Sequence, residues 1–224
     1  MLLILDDLLS PDELETITST LEDAEFLDGK RTAGWHAKVV KQNSQLEKSS
    51  PQHEKLEVLV KAALSRHPLV TTALYPSAVH SILFSRYQNG MAYGLHVDNA
   101  LMGSGDRRYR SDVSWTLFLS EPDGYTGGEL VIEGSEGEQV FKLKAGSAIF
   151  YPSCFLHQVK TVTDGVRLAA VGWVQSLVRD SQQRDLLFDL DVVRRSLFQS
   201  QGKTTEFDLI SKTHANLLRQ WADP

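Results

Sequence analysis

The chain has 224 residues, of which 42% are hydrophobic and 23% charged, and carries a formal net charge of −6. That size and balance fit one globular domain with room for a small appendage, and an acidic chain with no basic block argues against nucleic acid as a partner. No run is long and apolar enough to span a bilayer, the apolar start lacks the positive flank of a signal peptide, and the lone Cys154 excludes a disulfide framework or a cysteine-rich metal site. No membrane partner is expected, and the location is read as cytoplasmic.

Met1-Leu2-Leu3-Ile4-Leu5 reads as a first strand. Ser10-Pro11-Asp12-Glu13 then has the form of a helix start, with a capping serine, a proline at the first helical position and a glutamate that closes a capping box. Leu14, Ile17, Leu21 and Ala24 follow at helical spacing. A second helix begins near Ser50-Pro51 and carries Leu56, Leu59, Val60 and Ala63. The stretch between the two, with Gly34-Trp35, shows no clear period.

From about Ser81 to Val174 the pattern changes to short strands, at residues 81–87, 112–119, 129–132, 139–143, 147–151, 157–163 and 166–174. Turn signals such as Pro122-Asp123-Gly124, Thr126-Gly127-Gly128 and Asp164-Gly165 separate them. This predicts a mainly β protein with flanking helices, built on a double-stranded β-helix (jelly-roll) core. Cys154, among apolar neighbours, is expected to be buried packing. Past Arg179, one stripe of Leu186, Leu187, Leu190, Val193 and Leu197 and another of Phe207, Ile210, Leu217 and Trp221 predict a C-terminal helical hairpin. The division is a domain over 1–178, with a barrel core at about 80–178, and a helical extension over 179–224. That extension packs as a lid on the barrel or builds a homodimer interface.

His96 and Asp98 share one face of an extended segment, because side chains alternate with period two. An imidazole and a carboxylate placed so are two of the three ligands of a facial triad, which leaves three metal positions open as in non-haem Fe(II) oxygenases. Among the other histidines only His157 lies on a late barrel strand. His36, His53, His67 and His80 precede the motif, and His214 is expected to face solvent in the helical tail. Ten residues after His157, Arg167 stands in an otherwise apolar strand, where an unpaired charge is costly. It is either a structural ion-pair partner or a bidentate clamp on the far carboxylate of a dicarboxylic co-substrate. For the strands around 157 and 167 to form a hairpin with both residues on one face, Thr163-Asp164-Gly165 must be a three-residue loop with Gly165 left-handed. Tyr87 is read as a co-substrate contact or a packing residue, and Trp115 as core. The loop 100–110, with Arg107, Arg108 and Arg110, is read as a mobile segment near the iron, suited to an anionic substrate or simply solvated.

The pattern Tyr87-x-x-Gly90-x-x-Tyr93-x-x-His96-x-Asp98, then Gly127-Gly128-Glu129-Leu130, then His157 and Arg167, resembles the prolyl/lysyl-hydroxylase branch of the 2-oxoglutarate dioxygenases. The segments Arg110-Ser111-Asp112-Val113-Ser114, Trp173-Val174-Gln175-Ser176 and Arg184-Asp185-Leu186-Leu187 bring it closest to the bacterial PKHD-type hydroxylases, some of which are linked to iron uptake. The resemblance implies Fe(II) on His96, Asp98 and His157, with 2-oxoglutarate on Arg167. It also implies O2 as co-substrate, L-ascorbate as the rescuing reductant, and hydroxylation with release of succinate and CO2. Where wider 2-oxoglutarate enzymes carry Arg-x-Ser, Ala169 stands here, and Thr161 is the candidate for the second hydrogen bond to the carboxylate. The substrate, a small molecule or a peptidyl group, is not legible. Two other readings stand beside this one: a non-catalytic metal- or oxygen-sensing module, and a cupin-type metalloenzyme that uses no 2-oxo acid.

Overall fold

The computed structural model describes residues 2–105, 107–134 and 137–223, and for Ser104 and Arg107 the backbone alone. A strand β1 (Leu3–Leu5) leads into α1 (Pro11–Glu22), which starts where its capping residues dictate. Ser10 Oγ accepts from the Glu13 amide and the Glu13 carboxylate accepts from the Ser10 amide. Arg66 also clamps Glu13 at 2.5 Å, and its guanidinium holds the carboxyl at about 2. The stretch without a clear period forms β2 (Phe26–Asp28), two 3-10 turns (Gly29–Thr32 and Ala37–Val39), β3 (Lys41–Gln42) and β4 (Ser44–Leu46). Then come α2 (Pro51–Arg66) and a short α3 (Pro68–Leu74), which the apolar pattern alone does not separate; Pro68 starts it and left-handed Tyr75 ends it.

The barrel region consists of β5 (Pro76–Tyr87), β6 (Ala92–His96), β7 (Leu101–Ser104), β8 (Arg107–Arg110), β9 (Val113–Phe118), β10 (Tyr125–Gly127), β11 (Leu130–Gly134), β12 (Gly137–Phe141), β13 (Ala148–Pro152), β14 (Leu156–Val159), β15 (Val162–Gly165) and β16 (Arg167–Ser176). Two helices, α4 (Ser181–Gln201) and α5 (Thr205–Trp221), close the chain. Seven strands pair in the order β1-β13-β9-β16-β5-β4-β2 and five in the order β12-β11-β14-β6-β3, antiparallel throughout. This is the jelly roll the turn spacing predicts, widened by four short N-terminal strands. One core cluster joins the larger sheet to α1–α3 through Ile17, Leu56, Leu64, Phe84, Trp115 and Phe150. A second lies between the sheets, with Phe118, Ile149, Ile132 and Val159 among its members.

Three expectations are corrected. The strands around His157 and Arg167 are not a hairpin: β14 ends at Val159 and pairs with β11 and β6, whereas β16 pairs with β5 and β9 in the other sheet. β15 pairs with β10 between them and carries the chain across, and Gly165 is indeed left-handed, at φ 73°. Cys154 is exposed, since the turn after β13 points it outward whatever its neighbours are. His214 is buried, with its Nε2 3.0 Å from the Tyr75 hydroxyl, because α5 turns this face inward.

The helical extension is docked on the outside of the barrel. Leu187 is fully buried, Phe188 packs on the main core, and buried Arg184 donates to the carbonyls of Val178 and Arg179 at 2.7 and 2.8 Å. Among the described residues, none beyond Trp173 lines the interior cavity. Leu187→Ala should therefore cost about 2–5 kcal/mol of unfolding free energy. Leu186→Ala, one residue earlier on the exposed face, should stay within about 0.5 kcal/mol of wild type. Urea midpoints of the two variants compare them directly, and equal shifts would mean that α4 is not held by this face.

Candidate active site

A cavity of about 330 Å³ lies between the two sheets, lined from both. The five-stranded sheet supplies His96 and His157, which are directly opposite each other on β6 and β14. Their rings are 4.2 Å apart, centre to centre. The pairing of these strands slips by one residue between His157 and Val159, a bulge on β6. Residues three apart on a regular strand face opposite ways; the extra residue lets Tyr93 and His96 share the cavity face, stacked at 3.6 Å.

Asp98 lies two residues past the end of β6, so its placement is set by hydrogen bonds rather than by a strand. Ser114 Oγ donates to Asp98 Oδ2 at 2.6 Å, and Ser153, 2.7 Å from Ser114, supplies the proton for the next bond. Ser111 Oγ also holds the carbonyl of Asn99. His157 Nε2 sits 3.6 Å from Asp98 Oδ2, and one donor atom from each of His96, Asp98 and His157 falls within 4.8 Å of the others.

Both imidazoles are fixed in the tautomer a metal needs. His96 Nδ1 donates to the carbonyl of Gly94 at 2.8 Å and His157 Nδ1 to that of Phe155 at 3.1 Å. A carbonyl only accepts, so each Nδ1 keeps its proton and each Nε2 presents a lone pair. Burial first, and then the neighbouring His157, pulls the His96 imidazole down to about 4, so it stays neutral near pH 7.

On the facing sheet Arg167 is 1% exposed. Its guanidinium lies over the rings of Tyr87 (5.1 Å) and Phe118 (5.5 Å). Its Nε and Nη2 have no hydrogen-bond partner among the described residues. Gly128, at φ 69°, makes room for it: a Cβ there would meet Arg167 Cδ and the Tyr125 ring at 3.0 Å. The turn reading of Gly127-Gly128 is thus right but incomplete.

Tyr87 is buried, on the strand position opposite Arg167, and lines the cavity. Burial raises its pKa, with Arg167 and Asn43 beside it acting the other way. Thr161 is not in the site. It is exposed, it does not line the cavity, and its carbonyl is taken by the Gly128 amide, because the chain is leaving the barrel interior for β15 at that point. Trp115 is a core residue, as expected, although one edge reaches the cavity.

For the arginine loop, the reading as simply solvated fits Arg108, which is exposed. Residues 101–104 and 107–110 form the β7–β8 hairpin, and it is Leu101, Met102 and Gly103 that line the cavity. Arg110 is held in a forked pair with Asp112 at 3.1 Å, and Arg108 is exposed away from the cavity. The Arg107 side chain lies outside the described residues. Sequence reasoning also missed Ser114 and Tyr151, and the inward row Lys41, Asn43 and Gln45. For that row the period-two spacing was the available signal.

Residues 82–175 match the model of the 2OG-Fe(II) oxygenase superfamily, and residues 181–223 that of the PKHD-type hydroxylase C-terminal domain. Full-length relatives include a PKHD-type hydroxylase of Rippkaea orientalis, 58% identical over 221 residues and covering 99% of each chain. Another, from Acaryochloris marina, is 60% identical over 223 residues and covers 100% of each. A Pseudomonas putida prolyl-4-hydroxylase shares the fold at a TM-score of 0.52 and 17% identity, covering 78% of this chain and 92% of that one. Fold, site and relatives together define a 2-oxoglutarate- and Fe(II)-dependent dioxygenase. The chain belongs to the PKHD-type hydroxylase family.

A folded-state pKa near 4 for His96 has a measurable consequence. Above pH 6.5 both folded and unfolded forms of this residue are neutral and pH has no effect through it. Between 6.5 and 4 the unfolded chain takes up a proton that the folded chain refuses, so metal-free protein should lose up to about 1.4 kcal/mol of stability per pH unit through this group. The difference in stability between wild type and His96→Gln, followed by urea titration from pH 7 to pH 4, should show that slope. A pH-independent difference would mean that His96 titrates normally.

Proposed function

We propose that His96, Asp98 and His157 hold the Fe(II), and that Arg167, with Tyr87 against it, holds the far carboxylate of 2-oxoglutarate. The observation that carries this reading is a buried guanidinium with two unpaired nitrogens in the same cavity as a His-Asp-His cluster. A buried cation without a counterion is unstable by several kcal/mol, and no carboxylate among the described residues pairs with it. A dicarboxylate supplies what is absent. The donor set suits Fe(II) equally well: two imidazole lone pairs and one carboxylate leave positions for a bidentate 2-oxo acid and for oxygen.

When bound, the iron activates O2 and couples decarboxylation of 2-oxoglutarate, to succinate and CO2, with hydroxylation of a substrate C–H bond. The chain's own residues do the positioning. The Nδ1 bonds to Gly94 and Phe155 aim the two imidazoles, and Ser114 fixes which carboxylate oxygen of Asp98 is free to turn to the metal. The apolar walls of Leu83, Leu130, Val159 and Val171 keep the interior poor in water. Arg167 fixes one end of the co-substrate, so its reacting end falls at the iron. A metal-only enzyme or sensor has no use for that clamp.

The same reading includes ascorbate as the reductant that restores oxidised iron, and a cytoplasmic location. It divides the chain into a dioxygenase domain over 1–178 and an extension over 179–224, supported by the two family matches, which part between residues 175 and 181. Exposed Leu186, Val193, Phe198 and Leu209 on the extension support a homodimer contact there.

Two variants separate the roles. Fe(II) and 2-oxoglutarate added anaerobically should give the visible charge-transfer band of the chelate in wild type. His157→Ala should weaken metal binding strongly, and a mutant with the wild-type band at wild-type metal affinity would remove His157 from the ligand set. Arg167→Leu should leave iron affinity alone and lower 2-oxoglutarate affinity on the order of a hundredfold or more, the scale of a broken buried pair at about 3–5 kcal/mol. Identical 2-oxoglutarate saturation curves in the two proteins would show Arg167 to be structural only.

A further inference from the structure

We infer that Lys41 receives an anionic group of the primary substrate, so that this enzyme hydroxylates a small carboxylate-bearing molecule. The inference rests on the functional reading above and deepens it. Lys41 is 4% exposed and stands on β3, at the edge of the five-stranded sheet, opposite Tyr93. Its ammonium lies 5.0 Å from the centre of the Tyr93 ring and donates to Thr32 Oγ1 at 3.0 Å. Thr32 is 2.5 Å from Gln45 Oε1, and Gln45 Nε2 donates to Ser85 Oγ at 3.2 Å. All five side chains line the cavity.

This is a neutral polar row carrying one buried positive charge. A hydroxyl can accept a hydrogen bond but cannot neutralise an ammonium. No carboxylate among the described residues forms an ion pair with Lys41; Asp98 and Asp28 act on it only through space. Burial accordingly pulls the amine down to about 8. Among the described residues Asp98 is, moreover, the only acidic one lining the cavity, and it is committed to the iron.

With the site loaded, the charges of Fe(II) and Arg167 are balanced by Asp98 and the 2-oxoglutarate dianion. Lys41 remains over, and exposed Lys48 at the rim adds to the same sign. Arg167 stands on β16 of the facing sheet, so the two buried cations belong to different walls and can take different carboxylates. A neutral substrate would shut the Lys41 ammonium away from water uncompensated, whereas an anionic one satisfies it with a charge-assisted bond. Charge complementarity of this kind sets specificity more than raw affinity.

The test uses the full chain loaded anaerobically with Fe(II) and 2-oxoglutarate, titrated with butyrate and with its neutral twin butyramide. The readout is the perturbation of the chelate band. Butyrate should bind wild type, and Lys41→Met should weaken it at least tenfold while leaving butyramide binding and 2-oxoglutarate saturation unchanged. Lys41→Gln serves the same comparison if the methionine variant does not fold. Failure of butyrate to bind wild type, or equal butyrate affinity in wild type and variant, overturns the proposal. So does a matching loss of butyramide, which would make Lys41 a donor to a neutral carbonyl such as a peptide's. A tenfold loss of 2-oxoglutarate affinity would overturn it by moving Lys41 into the co-substrate's site. Absence of any chelate band in wild type counts against the functional reading instead.

Discussion

Arg167 occupies a position where a guanidinium is almost wholly cut off from water and two of its nitrogens face no acceptor among the described residues. Desolvating a charge costs several kcal/mol even after relaxation, and the faces of two aromatic rings recover only part of that, at about 0.5–2 kcal/mol for each cation–π contact. The surrounding architecture reads as support for this one position. Gly128 clears the volume for the side chain, and Tyr87 and Phe118 wall it in. The strand that carries it is central in the larger sheet, paired on both sides, so the arginine cannot swing out to solvent without breaking that sheet. A cation held so firmly without a partner is poised for an anion that arrives with a ligand.

The two sheets divide the work. The smaller one carries the imidazoles, aimed by backbone carbonyls two residues before each ring. The larger one carries Arg167, the proposed carboxylate clamp, and its β9 contributes the serine that orients Asp98. What must be precise is the offset between the sheets, because it sets the gap between the His-Asp-His cluster and Arg167. β15 fixes that offset: it leaves the smaller sheet after Val159, pairs with β10, and delivers the chain through left-handed Gly165 to Arg167. A side chain at Gly127 would collide with the Thr161 carbonyl at this crossing, so the glycine pair serves the crossing as well as the arginine.

Residues whose chemistry clashes with their surroundings were legible in the sequence. His96, Asp98, His157 and Arg167 stand out because polar ligands and a lone cation interrupt apolar strands, and the structure gathers all four around one cavity. The capping box of α1 was legible for a similar reason, since its signal is complete within four residues. What was not legible depended on contacts distant in the chain. Lys41 and Gln45 lie on strands of two and three residues with Asn43 between them, so the period-two spacing was present but too short to mark a strand. Thr161 failed because a strand that looked continuous from 157 to 163 breaks where the chain changes sheets. His214 and Cys154 show the same limit: the neighbours of a residue in sequence do not decide which way it faces.

The position of the substrate then follows from what the walls leave open. Arg167 lines the cavity from the larger sheet and the helical extension lies outside the barrel, so neither bounds the approach to the His-Asp-His cluster. The approach is bounded by the first 3-10 turn with Thr32, by Gly34 packed against Asn99 beyond the metal loop, and by Leu101, Met102 and Gly103 of the β7–β8 hairpin. These segments come from parts of the chain far apart in sequence, and they meet only because Ser111 and the Arg110–Asp112 pair tie the base of the hairpin to Asn99 and to β16. The metal loop and the hairpin therefore share their anchors. A change in the hairpin acts on Asp98 through Ser111 and Asn99 as well as on the substrate directly, so substrate selection and metal geometry cannot vary independently on this scaffold.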